Sequence, residues 1–190
     1  MKRTCSLLCA IALLTACSGV PLRALPRLAH LGSDLMYADP AELALAIAAD
    51  VRMVPPAAGA PVLQLAIKPA TAGAFEAVDR KFPMQFATAG AATEDLPAPG
   101  AGRRWLIYRL SPETREEIGA LRERFRKLQA SGGGKVGTVS IGIAQDGVAA
   151  RDPALADTAW ECWLRTSRTE GFFRMWSGTV GEVLAQGESR

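Results

Sequence analysis

The sequence has very little of the chemistry on which most catalytic and metal sites depend. It contains a single histidine, His30, and four cysteines among its 190 residues. A Ser-His-Asp or Cys-His site would have to use His30, which has no His or Cys companion to share a metal ion. No Gly-x-Ser-x-Gly elbow and no EF-hand loop occurs. We therefore expect no catalytic residues, no metal site and no cofactor, and we interpret His30 as a surface residue.

Net charge is also small. Lys and Arg number 22 and Asp and Glu number 19, so the formal charge is +3, of which Lys2 and Arg3 supply two units. A chain this close to neutral has no strong field to attract nucleic acid, and we expect no nucleic-acid partner. Hydrophobic residues make up 49% of the chain and charged residues 22%, which are the proportions of a globular domain.

The N-terminal segment has the order of an export signal. A basic start at residues 1–3 is followed by a compact apolar run over residues 7–14 and then by small residues. The run is shorter than the roughly 20 apolar residues that a transmembrane helix needs. Gly19 and Pro21 follow it, so we interpret the segment as a signal that is removed.

Four residues, Leu14, Thr15, Ala16 and Cys17, close this segment. They resemble the lipobox of bacterial lipoproteins, and the resemblance covers residues 1–17 only. It implies signal recognition through Leu14, Thr15 and Ala16, cleavage before Cys17, and a thioether-linked diacylglyceryl group on Cys17. It also implies acylation of the new amine. The chemistry requires a cysteine because a thiolate is the nucleophile that takes the lipid.

The same resemblance implies a location and a domain organisation. In enterobacterial lipoproteins an Asp after the lipidated cysteine favours the inner membrane, whereas this chain has Ser18, which implies the outer membrane facing the periplasm. Pro21, Pro26 and Gly32 indicate a tether. We predict a signal peptide at 1–16, a lipidated N-terminus and tether at 17–33, and one globular domain at 34–190. The layout is similar to that of many small bacterial lipoproteins, which implies no particular activity.

Only one cysteine would remain free after this processing. Cys5 and Cys9 would leave with the signal and Cys17 would carry lipid, so Cys162 stands alone and no internal disulfide can form. Its neighbours include Trp160, Trp163 and Leu164. Large apolar neighbours favour a buried thiol over an intermolecular bond.

Alternating apolar residues predict several strands. Residues 42–54 alternate Leu, Ile and Met with alanine, which favours a strand, although the alanines keep a helix as the alternative. A strand at 62–67 is expected to form a hairpin with it. Pro83 suits an edge strand best. Further strands are predicted at 82–86, 105–110, 136–143 and 158–166, and the tail from Gly171 is aromatic at first and then polar.

One amphipathic helix is predicted over about residues 112–130, with Ser111 as its cap and Pro112 in the first position. Its apolar residues recur at spacings of three and four, at Ile118, Leu121, Phe125 and Leu128. Placed in the core, Leu121→Ala is expected to destabilise the domain by roughly 2–5 kcal/mol. A crossover through this helix is compatible with a parallel pair between the strands at 105–110 and 136–143.

Phe172, Phe173 and Trp176 form an apolar cluster without a clear period. One interpretation is an exposed patch for a partner protein, peptidoglycan or lipid. The other is a segment that closes the core.

These patterns predict an α+β or mostly β fold, in which an antiparallel sheet or sandwich carries one amphipathic helix. We expect a lipid-anchored periplasmic protein with a non-catalytic binding or scaffold role, held to the membrane by Cys17 and acting on an envelope protein partner. The alternative is a carrier of lipid or another apolar ligand within the sheet, because small residues on several strands leave room. An enzyme is the third class, but no site can be assembled from Asp146, Arg151 and Asp157.

Overall fold

The computed structural model describes residues 38–56, 59–87, 93–131 and 136–188. The signal and lipobox residues, the tether at 17–33, His30 and Gly132–Gly134 all lie outside these ranges. A short 3-10 helix covers Pro153–Leu155. The strands and helices are β1 Ala44–Asp50, β2 Val62–Pro69, β3 Val78–Ala87, β4 Arg103–Leu110, α1 Pro112–Ala130, β5 Val136–Ala144, β6 Ala159–Arg165, β7 Phe173–Thr179 and α2 Val180–Glu188.

The seven strands form one curled sheet in the order β5-β2-β3-β4-β1-β6-β7, and every paired neighbour is antiparallel. The predicted fold class, a mostly antiparallel sheet with an amphipathic helix, is confirmed. Residues 42–54 contain a strand rather than a helix.

β1 is an interior strand of the sheet, and both of its faces are buried. Leu45, Ile47 and Ala49 point to one face, which we call the leucine face, and Ala44, Ala46 and Ala48 point to the other, the alanine face. All six are at most 1% exposed. A strand that is apolar on both faces needs neighbours on both edges and layers on both sides, which is consistent with an interior position in the sheet.

Two strand pairings considered from the sequence are wrong. β1 does not form a hairpin with β2 but lies between β4 and β6. β5 is not parallel to β4, since it pairs antiparallel with β2 at the edge of the sheet. Alternation along a strand fixes which side chains share a face, whereas it leaves the choice of neighbouring strand open.

β3 changes partner halfway along its length. Val78–Pro83 pairs with β2, and Met84–Ala87 pairs with β4. Pro83 therefore does not mark an edge strand, as its missing N–H had suggested, but the point where one ladder ends and the next begins. At this point the Met84 amide donates to the carbonyl of Pro61 at 2.9 Å.

Helix α1 has the predicted bounds and cap. The Ser111 side chain accepts a hydrogen bond from the Thr114 amide at 3.1 Å, and Pro112 occupies the first turn. Ile118 and Phe125 are buried against the leucine face. The Phe125 ring meets Phe75 edge-on at 5.2 Å.

The C-terminal segment holds a strand and a helix where a polar tail was predicted. Thr179 and Glu182 form a capping box at the start of α2: the Thr179 amide donates to Glu182 Oε2 at 2.8 Å, and the Glu182 amide donates to Thr179 Oγ1 at 3.3 Å. Val180 and Val183 then enter the main core.

Candidate functional site

An apolar cleft lies between helix α1 and the β2–β5 end of the sheet. Its empty space is about 380 Å³, part of it open to solvent. Apart from Arg122, every lining residue is aliphatic, and the full set is Leu63, Leu65, Ile67, Ile118, Leu121, Arg122 and Ile141. We call this set the apolar cleft.

Strand and helix periodicity together build the apolar cleft. Alternate residues of β2 share one face, so Leu63, Leu65 and Ile67 form a continuous aliphatic row. Across from them, residues three and four positions apart on α1 bring Ile118, Leu121 and Arg122 to one side of the helix.

Leu121 is only partly buried, in contrast to the full core position expected from its spacing. Its side chain lines an open space instead of filling an enclosed one. We accordingly expect Leu121→Ala to cost less than the sequence suggested.

The opposite side of the sheet carries a polar cluster around Glu161. Arg103 Nη1 donates to Glu161 Oε1 at 2.9 Å, and Trp163 Nε1 donates to Glu161 Oε2 at 3.0 Å. Arg174 Nη1 lies 3.9 Å from the same carboxylate. Burial opposes ionisation of Glu161, but the hydrogen bonds from Arg103 and Trp163 outweigh it and hold its pKa below the usual range.

Two buried groups outside these clusters have restricted chemistry. Cys162 is fully buried, as predicted, and burial raises the pKa of its thiol, so the reactive thiolate is suppressed. Tyr108 is 1% exposed, and its hydroxyl has no hydrogen-bond partner among the described residues. Burial raises the pKa of Tyr108 to about 12, although the charge of Arg104 opposes the shift.

The three rings considered as a partner patch do not share an exposed surface. Phe172 and Trp176 are each 8% exposed, and Phe173 is partly buried. Trp176 belongs to the main core, whereas Phe172 packs on the alanine face with Ala44, Ala46 and Ile107. Gly171, with φ of 66°, permits the backbone turn that precedes them.

One of the residues considered for an enzyme, Arg151, is engaged in an ion pair. Arg151 pairs with Glu188 of α2 at 3.3 Å. Across the described ranges, no group of three or more His, Cys, Asp or Glu side chains is placed to hold a metal ion. Nor does any helix in the described part of the chain have both the length and the apolar character needed to cross a membrane.

These features define an antiparallel β protein with a helix-covered apolar cleft on one side of its sheet and a charged cluster on the other. Comparison with protein families found no matching family model, and comparisons with curated proteins and with solved structures found no significant match.

Proposed function

We propose that this protein is a non-catalytic, lipid-anchored binding protein of the bacterial envelope, which holds one acyl chain of a lipid in the apolar cleft. The observation that carries the proposal is the lining of the cleft, in which six aliphatic side chains surround an opening that the protein itself leaves unfilled. Ligand sites are typically apolar concavities with a few polar groups that fix orientation.

The lining of the cleft supports an acyl chain as the occupant. Six of its seven side chains are aliphatic, and an acyl chain is a ligand that needs no polar partner there. A chain buried against Leu63, Leu65 and Ile67 gains about 0.8 kcal/mol for each CH₂ removed from water.

The proposed anchor would keep this cleft near a source of lipid. With lipid on Cys17, the chain from there to Ala38, the first described residue, comprises residues 18–37. Fully extended, that tether reaches at most about 70 Å. The domain would therefore sample the membrane surface while the cleft itself stays outside the bilayer.

Support for a scaffold role is weaker. The contact surface that the sequence offered for a partner was an exposed aromatic patch, and two of its three rings are buried. A protein partner nevertheless remains a distinct outcome of the test below, which is designed to separate a protein from a lipid.

The test places a photoreactive benzophenone side chain at position 121, within the cleft, in the full-length chain expressed in bacteria. The matched control carries the same side chain at position 120, because Ala120 is the exposed neighbour on α1. After irradiation in cells, the protein is purified and the mass of each adduct is measured.

A lipid-mass adduct at position 121 that is absent at position 120 supports the proposal. A protein adduct at position 121 would replace the lipid carrier with a scaffold, and equal yields at both positions would reject the cleft as a binding site.

A further inference from the structure

Two arginines flank the same alanine on the alanine face of the sheet. Ala44 of β1 pairs with Arg109 of β4 on one side and with Arg165 of β6 on the other. Directly paired residues in neighbouring antiparallel strands project to the same face. The methyl group of Ala44 is the only β1 side chain between these two guanidinium groups, so β1 supplies no acceptor there.

Arg165 is buried without a close carboxylate. It is 3% exposed, and its Nε donates to the main-chain carbonyl of Glu42 at 3.3 Å. Asp95 Oδ2 is 3.9 Å from Arg165 Nη1, beyond hydrogen-bond distance, and the Asp95 side chain is 47% exposed. The Phe172 ring covers the guanidinium with its centroid 4.9 Å away.

Arg109 carries a donor that nothing in the described residues accepts. Its Nε is buried, and no hydrogen-bond partner reaches it from the described ranges. A buried donor without a partner is unfavourable, because it has lost its hydrogen bond to water and gained none within the protein. A guanidinium Nε together with one Nη forms the fork that binds two oxygens of one anion.

Positive charge exceeds negative charge around Arg165. Burial lowers the pKa of Arg165, and the positive charges of Arg109 and Arg168 lower it further, while Asp95 and Glu42 act in the opposite direction. The Glu42 carboxylate also accepts from the Arg168 amide at 3.1 Å.

From this arrangement we infer that Arg109 and Arg165, the arginine cluster, bind one oxyanion, a phosphate or carboxylate group carried on a small molecule or a lipid headgroup. The anion would accept from the unpaired Arg109 Nε and place a negative charge beside Arg165. The arginine cluster lies on the alanine face and the apolar cleft lies on the other side of the sheet, so this inference does not rest on the proposed function.

The test measures the melting temperature of the full-length protein as inorganic phosphate replaces chloride at constant ionic strength. A ligand that binds only the folded state raises the melting temperature according to its affinity. Arg109→Gln removes the charge and the Nε donor, and Arg109→Lys keeps the charge but loses the fork. Arg124→Gln on the exposed side of α1 is the matched control.

Phosphate should stabilise the wild type and Arg124→Gln alike, whereas Arg109→Gln should weaken apparent binding by at least about tenfold. The apparent affinity of Arg109→Lys for phosphate should lie between those of the wild type and Arg109→Gln. Without phosphate, Arg109→Gln should melt no lower than the wild type, because repulsion with Arg165 is relieved. An equal phosphate response in wild type and Arg109→Gln, or none beyond that of chloride, would overturn the inference.

A second titration identifies the source of the oxyanion. Short-chain phosphatidylglycerol, soluble as a monomer, is compared with inorganic phosphate and with phosphatidylcholine of the same chain length. Tighter Arg109-dependent binding of phosphatidylglycerol assigns the site to a lipid headgroup, and equal affinity with inorganic phosphate assigns it to a free anion. If all three compounds bind the wild type and Arg109→Gln with equal affinity, the arginine cluster is rejected as the site.

Discussion

The contrast between two positions of α1 tests whether the apolar cleft is open. Phe125 is 1% exposed and packs edge-on against Phe75, so Phe125→Ala leaves an enclosed cavity and should cost about 3–5 kcal/mol. Leu121 is partly exposed towards the cleft. Leu121→Ala enlarges a space that solvent already reaches, so it loses mainly the transfer term, about 1–2 kcal/mol.

Urea denaturation followed by tryptophan fluorescence gives both free energies of unfolding. Domains of this kind are stable by only about 5–15 kcal/mol, so Phe125→Ala could leave too little folded protein to measure. Phe125→Leu, which keeps most of the volume, then serves in its place with an expected loss of about 1–2 kcal/mol. Equal losses for Leu121→Ala and Phe125→Ala would refute the reasoning, since they would show that Leu121 fills a closed core.

Four further changes have expected outcomes. Tyr108→Phe removes a buried hydroxyl without a partner in the described residues, so chemical denaturation should show unchanged or higher stability. As pH rises from 10 to about 12, the wild type should lose stability relative to this variant. Ionised Glu161 stabilises the wild type above pH 4.5, the usual pKa of the group, and this stabilisation is lost as pH falls below that value. Glu161→Gln should abolish it, as thermal melts across pH can measure. Thr179→Ala breaks the capping box with Glu182 and should lower the free energy of unfolding by about 1 kcal/mol in urea titrations. Cys162 should resist alkylation in the native protein and react fully in denaturant, as mass spectrometry would show.

Local patterns in the sequence predicted the elements of the fold more successfully than their arrangement. The Ser111-Pro112 start and the spacing of Ile118 and Phe125 were enough to place α1. Likewise, the alternation at 42–54 favoured a strand where β1 lies, because a period of two reports directly on the two faces of a strand, although the alanines left a helix open. Strand neighbours depend on contacts between distant residues, and the pairing of β1 with β6 therefore could not be derived from either segment alone.

The C-terminal helix could have been found. The capping-box order Thr179-Val180-Gly181-Glu182 is present in the sequence, with Val180 and Val183 behind it on one side. The glycines at 178, 181 and 187 dilute the apolar pattern and conceal the helix.

Neither candidate site could be predicted from local sequence patterns of this kind. The apolar cleft depends on the distance between α1 and β2, and no pattern in the sequence reports that distance. The pairing of Arg109 with Arg165 across Ala44 joins residues 56 positions apart, which come together only through the sheet register.

The position of β1 between β4 and β6 has a consequence for how the chain acquires its structure. Ala44 pairs with Arg109 and with Arg165, which follow it by 65 and 121 residues. Contacts this distant in sequence are slow to form, because the ordering of a long intervening loop must precede them. β1, the first strand of the described residues, thus waits for β6 before both of its edges are paired. Until then an apolar segment, Leu43–Ala49, keeps an unpaired edge that is available to chaperones or to aggregation.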